Sequence, residues 1–165
     1  MTIEEHYNAI APKLTNYLVG VGADYHAACD IVQETFLRLW KKRDELLDDP
    51  AQVSGYVYTI ARHLWTDRLR KQAREALQEE IKDEDAGAVM PSDSSPSDAR
   101  YLRRRLNDAL AQLPPLVREA FSLFQISELS VREIARITSA SENLVKVRVH
   151  RAKMKLRELL ADVVT

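Results

Sequence analysis

The chain has 165 residues, enough for one ordinary domain or two small ones. With 45% apolar and 30% charged residues it has a globular make-up, and no apolar run approaches the ~20 residues of a membrane span. The formal charge of −1 argues against a polyanionic partner only until it is mapped along the sequence. Residues 1–74 hold ten cationic and ten acidic side chains, residues 75–98 one and eight, and residues 99–165 thirteen and seven. An acidic middle of −7 therefore conceals a basic last third of +6, an asymmetry that points to polyanion binding. The N-terminus shows no basic stretch followed by an apolar one, and the single cysteine, Cys29, can form no internal disulfide; both favour the cytoplasm.

Strand signals are nearly absent, with four glycines in all and no Asn-Gly or Asp-Gly turn between alternating runs. Helical spacing dominates instead. Ile10, Leu14, Tyr17 and Leu18 predict a first helix that ends near Gly20-Val21-Gly22. Val32, Phe36 and Leu39, joined by Ile31 and Trp40, predict the buried side of a second. After a break at Asp48-Asp49-Pro50, the stripe Val53, Val57, Ile60 and Leu64 predicts a third. From about Glu75 the pattern fails. An acidic run, Glu79 to Asp85, and a Ser/Pro-rich run, Met90 to Pro96, bury too little apolar surface to offset their ordering entropy. Helicity resumes at Asp98 with Leu102, Leu106, Ala109, Leu110 and Leu113 on one face. Pro114-Pro115 ends that helix and opens the next, whose apolar side is Leu116, Ala120, Leu123 and Phe124. The expected fold class is all-α: two small helical domains, residues 1–74 and 98–165, joined by a flexible acidic linker over residues 75–97.

Ser130-Val131-Arg132-Glu133 is a capping box that starts a short helix through Ile137. A tight turn follows, and then a longer basic helix from about Glu142 to Leu160, capped by either Ser139 or Ser141. That order is the helix-turn-helix pattern. Ile134, Ala135 and Ile137 face Val145 and Val149, which leaves Lys146, Val147, His150 and Arg151 outward, with Arg148, Lys153, Lys155 and Arg157 around them. A helix of this kind fits the DNA major groove, where cations meet phosphates and Arg can pair bidentately with guanine.

On the second helix, Asp30, Gln33, Glu34, Leu37 and Lys41 form a polar stripe with one apolar anchor, Leu37, suited to docking a partner helix. The segment Asp30-Ile31-Val32-Gln33-Glu34-Thr35-Phe36 resembles the Asp-x-x-Gln-Glu-x-Phe motif in region 2 of the extracytoplasmic-function sigma factors of the sigma-70 family. Gly55 to Arg70 resembles that family's promoter-melting helix, and Leu113–Phe121, Leu129–Ala135 and Val145–Ala152 resemble its region 4. The likeness covers roughly residues 5–72 and 98–160, in the family's order.

What the resemblance implies is an initiation subunit without enzymatic activity or cofactor. Asp30, Gln33, Glu34, Leu37 and Lys41 would bind core RNA polymerase, whose largest-subunit clamp and flap regions are the implied contacts. Tyr58, Arg62, His63, Trp65, Thr66 and Arg70 would read the −10 element by stacking on unpaired bases and lining a base pocket, with Arg68 and Lys71 at phosphates. Tyr56 and Tyr58 suit core packing as well as they suit DNA. Lys146, Val147, Arg148, His150 and Arg151 would read the −35 element. An anti-sigma factor is a further implied partner, and membrane insertion is not implied. Tyr56 replaces the family's usual Trp, His63 its Asn and Leu144 a Thr; Val147 replaces a common Ser, and the turn at Ser139–Leu144 lacks the usual glycines. These departures bear on which promoter is read.

Two other readings are weighed against it. A free-standing helix-turn-helix regulator would account for the basic third but gives the Asp30–Trp40 stripe no role. A metal-dependent hydrolase would need partners for His26 and Cys29, and the sequence offers no Glu-x-x-His or second Cys. Cys29 reads more simply as a small buried residue.

Overall fold

The structure, a computed structural model, describes residues 2–78 and 97–164, and within them it is helical with no strand. The helices are α1 (Ile3–Gly20), α2 (Tyr25–Lys41), α3 (Arg43–Leu46), α4 (Pro50–Gln78), α5 (Ser97–Ala111), α6 (Pro115–Phe121), α7 (Val131–Thr138), α8 (Glu142–Leu159) and α9 (Ala161–Val164). A single π-turn, Ser122–Ile126, continues α6. No helix among the described residues is long and apolar enough to cross a membrane.

Local chemistry sets most of the boundaries. Thr2 and Glu5 cap α1 reciprocally, and the Asp24 side chain accepts from the Ala27 amide at the start of α2. Pro50 opens α4, where its missing amide costs nothing. The predicted capping box at Ser130 and Glu133 is present in full, with bonds of 2.8 and 3.1 Å. Of the two serines open as caps for α8, Ser141 accepts from the Leu144 amide, while Ser139 ends α7 in the left-handed region at φ +54°.

The first block is a three-helix core of α1, α2 and α4 around Leu14, Leu18, Ile31, Leu39, Val53 and Val57. In the second, Ala109, Leu110, Leu113, Val117, Ala152 and Leu156 pack α5 and α6 against α8. The two blocks are in contact. Ala120, Leu123, Ile134, Ile137, Val145 and Val149 join the core of α1, α2 and α4 as one continuous apolar cluster.

Several sequence expectations are corrected. Trp40 is exposed rather than inward, with the Arg43 guanidinium 4.0 Å above its ring. On α4 the buried side is Val53, Val57, Tyr58, Ala61 and Trp65, and Ile60 and Leu64 are only half-buried. This helix is packed by α1, α2 and α7, so its inward face is wider than one aliphatic stripe and rotated from it. Leu102, Leu106 and Leu116 are exposed, and Val117 takes the inward place expected of Leu116. Cys29 is half-buried beside the Tyr25 hydroxyl. Helix α4 continues through Gln78, so the first four residues expected in the linker are helical; the rest of the expected linker up to Pro96 lies outside the described residues.

A left-handed serine costs roughly 1 kcal/mol relative to glycine, which has no Cβ to crowd the carbonyl. Ser139→Gly is therefore expected to stabilise the protein by up to about 1 kcal/mol, offset in part by the added freedom of the unfolded chain. Urea unfolding followed by circular dichroism measures it; a loss of stability would contradict the strain assigned to this turn.

Candidate nucleic-acid interface

On α2 the stripe Asp30, Gln33, Glu34, Leu37 and Lys41 projects to solvent, because Ile31, Val32, Thr35, Phe36 and Leu39 occupy the core side. Leu37 is 58% exposed with no core role, and Glu34 pairs with Arg38 at 3.1 Å along the helix. Asp30 is approached by Arg68 of α4 only at 3.9 Å. Trp40, three residues beyond Leu37, adds a second large apolar group to this surface. Sequence reasoning missed it because i+4 from Phe36 placed it inward; the cation at Arg43, one turn later, was the available signal.

On α8 the inward residues are Val145, Val149, Ala152 and Leu156, which turns Lys146, Val147, His150 and Arg151 outward as one exposed patch. Arg148 is half-buried at its edge. Behind it α7 crosses closely, and the Ala140 amide donates to the Ala135 carbonyl at 3.0 Å to close the turn.

The α4 residues expected at DNA are not brought to one open surface. His63 and Arg70 are exposed, Arg62 and Thr66 are half-buried, and Tyr58 and Trp65 are buried. The placement of Tyr58 and Trp65 on an exposed side is thus corrected. Thr66 donates its hydroxyl to the Arg62 carbonyl, and Arg70 leans on Asp67 at 3.7 Å. Tyr58 packs against Tyr17 with ring centroids 5.9 Å apart. Arg62 Nε donates to Glu119 Oε2 at 3.0 Å, and the Tyr17 hydroxyl donates to the same oxygen at 3.3 Å. Alongside, an open groove of about 670 Å³ runs between α4 and α7, walled by Tyr56, Thr59, Arg132, Glu133 and Arg136.

Comparison with known proteins decides what this arrangement is. The sigma-70 region 2 model matches residues 6–75 and the sigma-70 region 4 model matches residues 103–156. The RNA polymerase sigma factor CarQ of Myxococcus xanthus is 32% identical over 96% of this chain and 89% of its own. The chain belongs to the sigma-70 family. Among its relatives is also the ECF RNA polymerase sigma factor SigM of Bacillus subtilis, 29% identical over 96% of this chain and 95% of that one. In structure the sigma factor is similar to RpoE from Bartonella quintana, solved with the anti-sigma factor NepR, at a TM-score of 0.74, 26% identity and 98% coverage of both chains. It shares its fold with CnrH, at a TM-score of 0.68 over 98% of this chain and 88% of that one, with 21% identity. The all-α reading and its assignment to extracytoplasmic-function sigma factors hold.

Two tyrosines report on where the regions of this sigma factor meet. Burial, aided by the Glu119 carboxylate, pushes the Tyr17 phenol well above its ordinary value, and burial pushes Tyr58 up to about 12. A raised phenol pKa means the folded protein keeps its proton longer than the unfolded chain does. The associated stability is full below pH 10 and is lost as pH rises toward 12. Tyrosinate absorbance should show Tyr17 and Tyr58 titrating last, with stability falling over that window; their Phe variants should remove the late phase.

Proposed function

We propose that this sigma factor holds core RNA polymerase through α2 and reads promoter DNA through α4 and α8. The observation that carries the reading is the orientation of α2 and α8. Each spends its aliphatic side on the core, and each leaves an exposed patch of matching chemistry: polar with Leu37 and Trp40 on α2, cationic with Val147 on α8. The first suits a helix of the polymerase clamp, the second a DNA major groove. On α4, His63, Arg62, Thr66 and Arg70 are the residues proposed for the −10 element. Residues 1–74 and 98–165 act as two domains, with the acidic stretch between them as tether. It acts without chemistry of its own, in the cytoplasm. That RpoE of Bartonella quintana binds NepR supports an anti-sigma partner here as well. The region 2 match over residues 6–75 leaves a free-standing regulator without support.

Asp30→Ala combined with Gln33→Ala should weaken binding to core polymerase while leaving helical content unchanged, since both side chains are exposed and Asp30 has only a long contact to lose. Fluorescence titration with core polymerase measures it; an unaltered affinity removes this face from the contact.

At the other surface, Arg151→Ala should cost ~1–3 kcal/mol and relax preference at one −35 position if Arg151 meets a base edge. Lys146→Ala should weaken binding evenly across sequences and lower the salt slope by about one unit if Lys146 meets phosphate. Val147 can contribute only apolar contact, as with a thymine methyl. Holoenzyme binding to −35 variants over a salt series tests all three. No change in affinity, slope or preference would exclude α8 as the reading helix.

A further inference from the structure

We infer that Arg68 serves the polymerase side of α4: it is a positioning residue that presents the Asp30 carboxylate to core polymerase, and it is not a phosphate contact. The inference rests on the proposed polymerase-binding role of α2. Ala61, Trp65 and Arg68 fall at i, i+4 and i+7, so they share one face of α4. Ala61 and Trp65 are buried, which turns that face toward the bundle. The Arg68 side chain is 37% exposed, against 73% for Arg70 two residues on. Its stem therefore lies along the bundle while its head reaches the rim. There Nη1 donates to the Ala27 carbonyl of α2 at 3.3 Å, and Nη2 stands 3.9 Å from Asp30 Oδ2. Ala27 and Asp30 are three residues apart on α2, so one guanidinium spans a turn of that helix.

Helix geometry separates Arg68 from the residues proposed for the −10 element. At about 100° per residue, Arg62, His63, Thr66 and Arg70 fall within an arc of roughly 100° on α4. Arg68 lies at least roughly 120° around the axis from every one of them. A DNA strand lying on that arc leaves Arg68 on the far side, facing α2. What the guanidinium does there follows from electrostatics. In the free protein Asp30 is exposed and the pair is long, so it adds little to stability. A polymerase helix that covers Asp30 removes its water, and the carboxylate then needs donors to offset its desolvation. Arg68 already stands beside Oδ2, anchored on the Ala27 carbonyl, which leaves Oδ1 for a donor on the polymerase. The pair thus acts by preparing Asp30 before the encounter, so that less ordering and desolvation remain to oppose binding.

A double-mutant cycle on core binding by the full-length protein tests this, with promoter binding by the reconstituted holoenzyme as a second readout. Arg68→Gln should weaken affinity for core polymerase several-fold at unchanged helical content, and Arg68→Lys should keep most of that affinity. Added to Asp30→Ala, Arg68→Gln should bring no further loss. Over a salt series, the slope of holoenzyme binding to promoter DNA should be unaltered in Arg68→Gln, whereas Arg70→Gln should lower it by about one unit. Full core affinity in Arg68→Gln, or an equal loss with and without the Asp30 carboxylate, overturns the inference. A salt slope lowered by about one unit in Arg68→Gln also overturns it, and returns Arg68 to the phosphates. If Asp30→Ala by itself leaves core affinity unchanged, it is the polymerase-binding role assigned to α2 that fails.

Discussion

Glu119 carries a carboxylate that the fold shares between two regions of the chain. Its Oε2 accepts from Tyr17 of α1 and Arg62 of α4, while Oε1 is buried without a hydrogen-bond partner among the described residues. A half-satisfied anion is a poor device for permanent cohesion, because desolvation offsets much of the attraction. Stripping one partner from a buried pair costs about 3–5 kcal/mol. The apolar contribution works the same way. Ala120, Leu123, Ile134 and Ile137 close over the α1–α2–α4 core, yet each region keeps a cluster of its own, around Leu14 and Val57 in one and Leu110 and Leu156 in the other.

The helix-turn-helix illustrates how a departure in sequence is absorbed locally. The turn from Ser139 to Leu144 contains no glycine; Ser139 takes the left-handed region, and the Ser141 hydroxyl then caps α8. The turn therefore forms with its usual hydrogen bonds at the cost of a strained residue. The reading helix keeps its direction because Val145 and Val149 are fixed in the core, so Lys146, Val147, His150 and Arg151 point outward whatever the turn contains. Charge is segregated in the same spirit. Cations concentrate after residue 99, and the acidic surplus lies in residues 75–98, adjacent in the chain to the surface that would meet phosphate.

How much could be read without coordinates differs from helix to helix. Where an aliphatic stripe faced one neighbour, as with Val32, Phe36 and Leu39 on α2 or Val145 and Val149 on α8, spacing alone identified the inward side and hence the exposed residues opposite. The capping residues Ser130 and Glu133 marked α7 because their bonds are local. These are properties of one helix, set by 3.6-residue periodicity and by groups within a turn of each other. The motif order did the rest, and it pointed to the family before any fold was known.

Tertiary structure decided what periodicity cannot. Helix α4 is packed on three sides, so Tyr58 and Trp65 went inside while Ile60 and Leu64 stayed half-exposed, against the order that hydrophobicity alone would set. Trp40 found Arg43 at the surface instead of the core. Above all, the meeting of the two regions has no periodic signature. Tyr17 and Glu119 are 102 residues apart, Arg118 and the Gly20 carbonyl 98, and Arg62 and Glu119 57. Each partner taken singly reads as an ordinary surface or core residue. A long-range contact depends on which faces remain uncovered after each block has packed, and that is settled only when both blocks are folded.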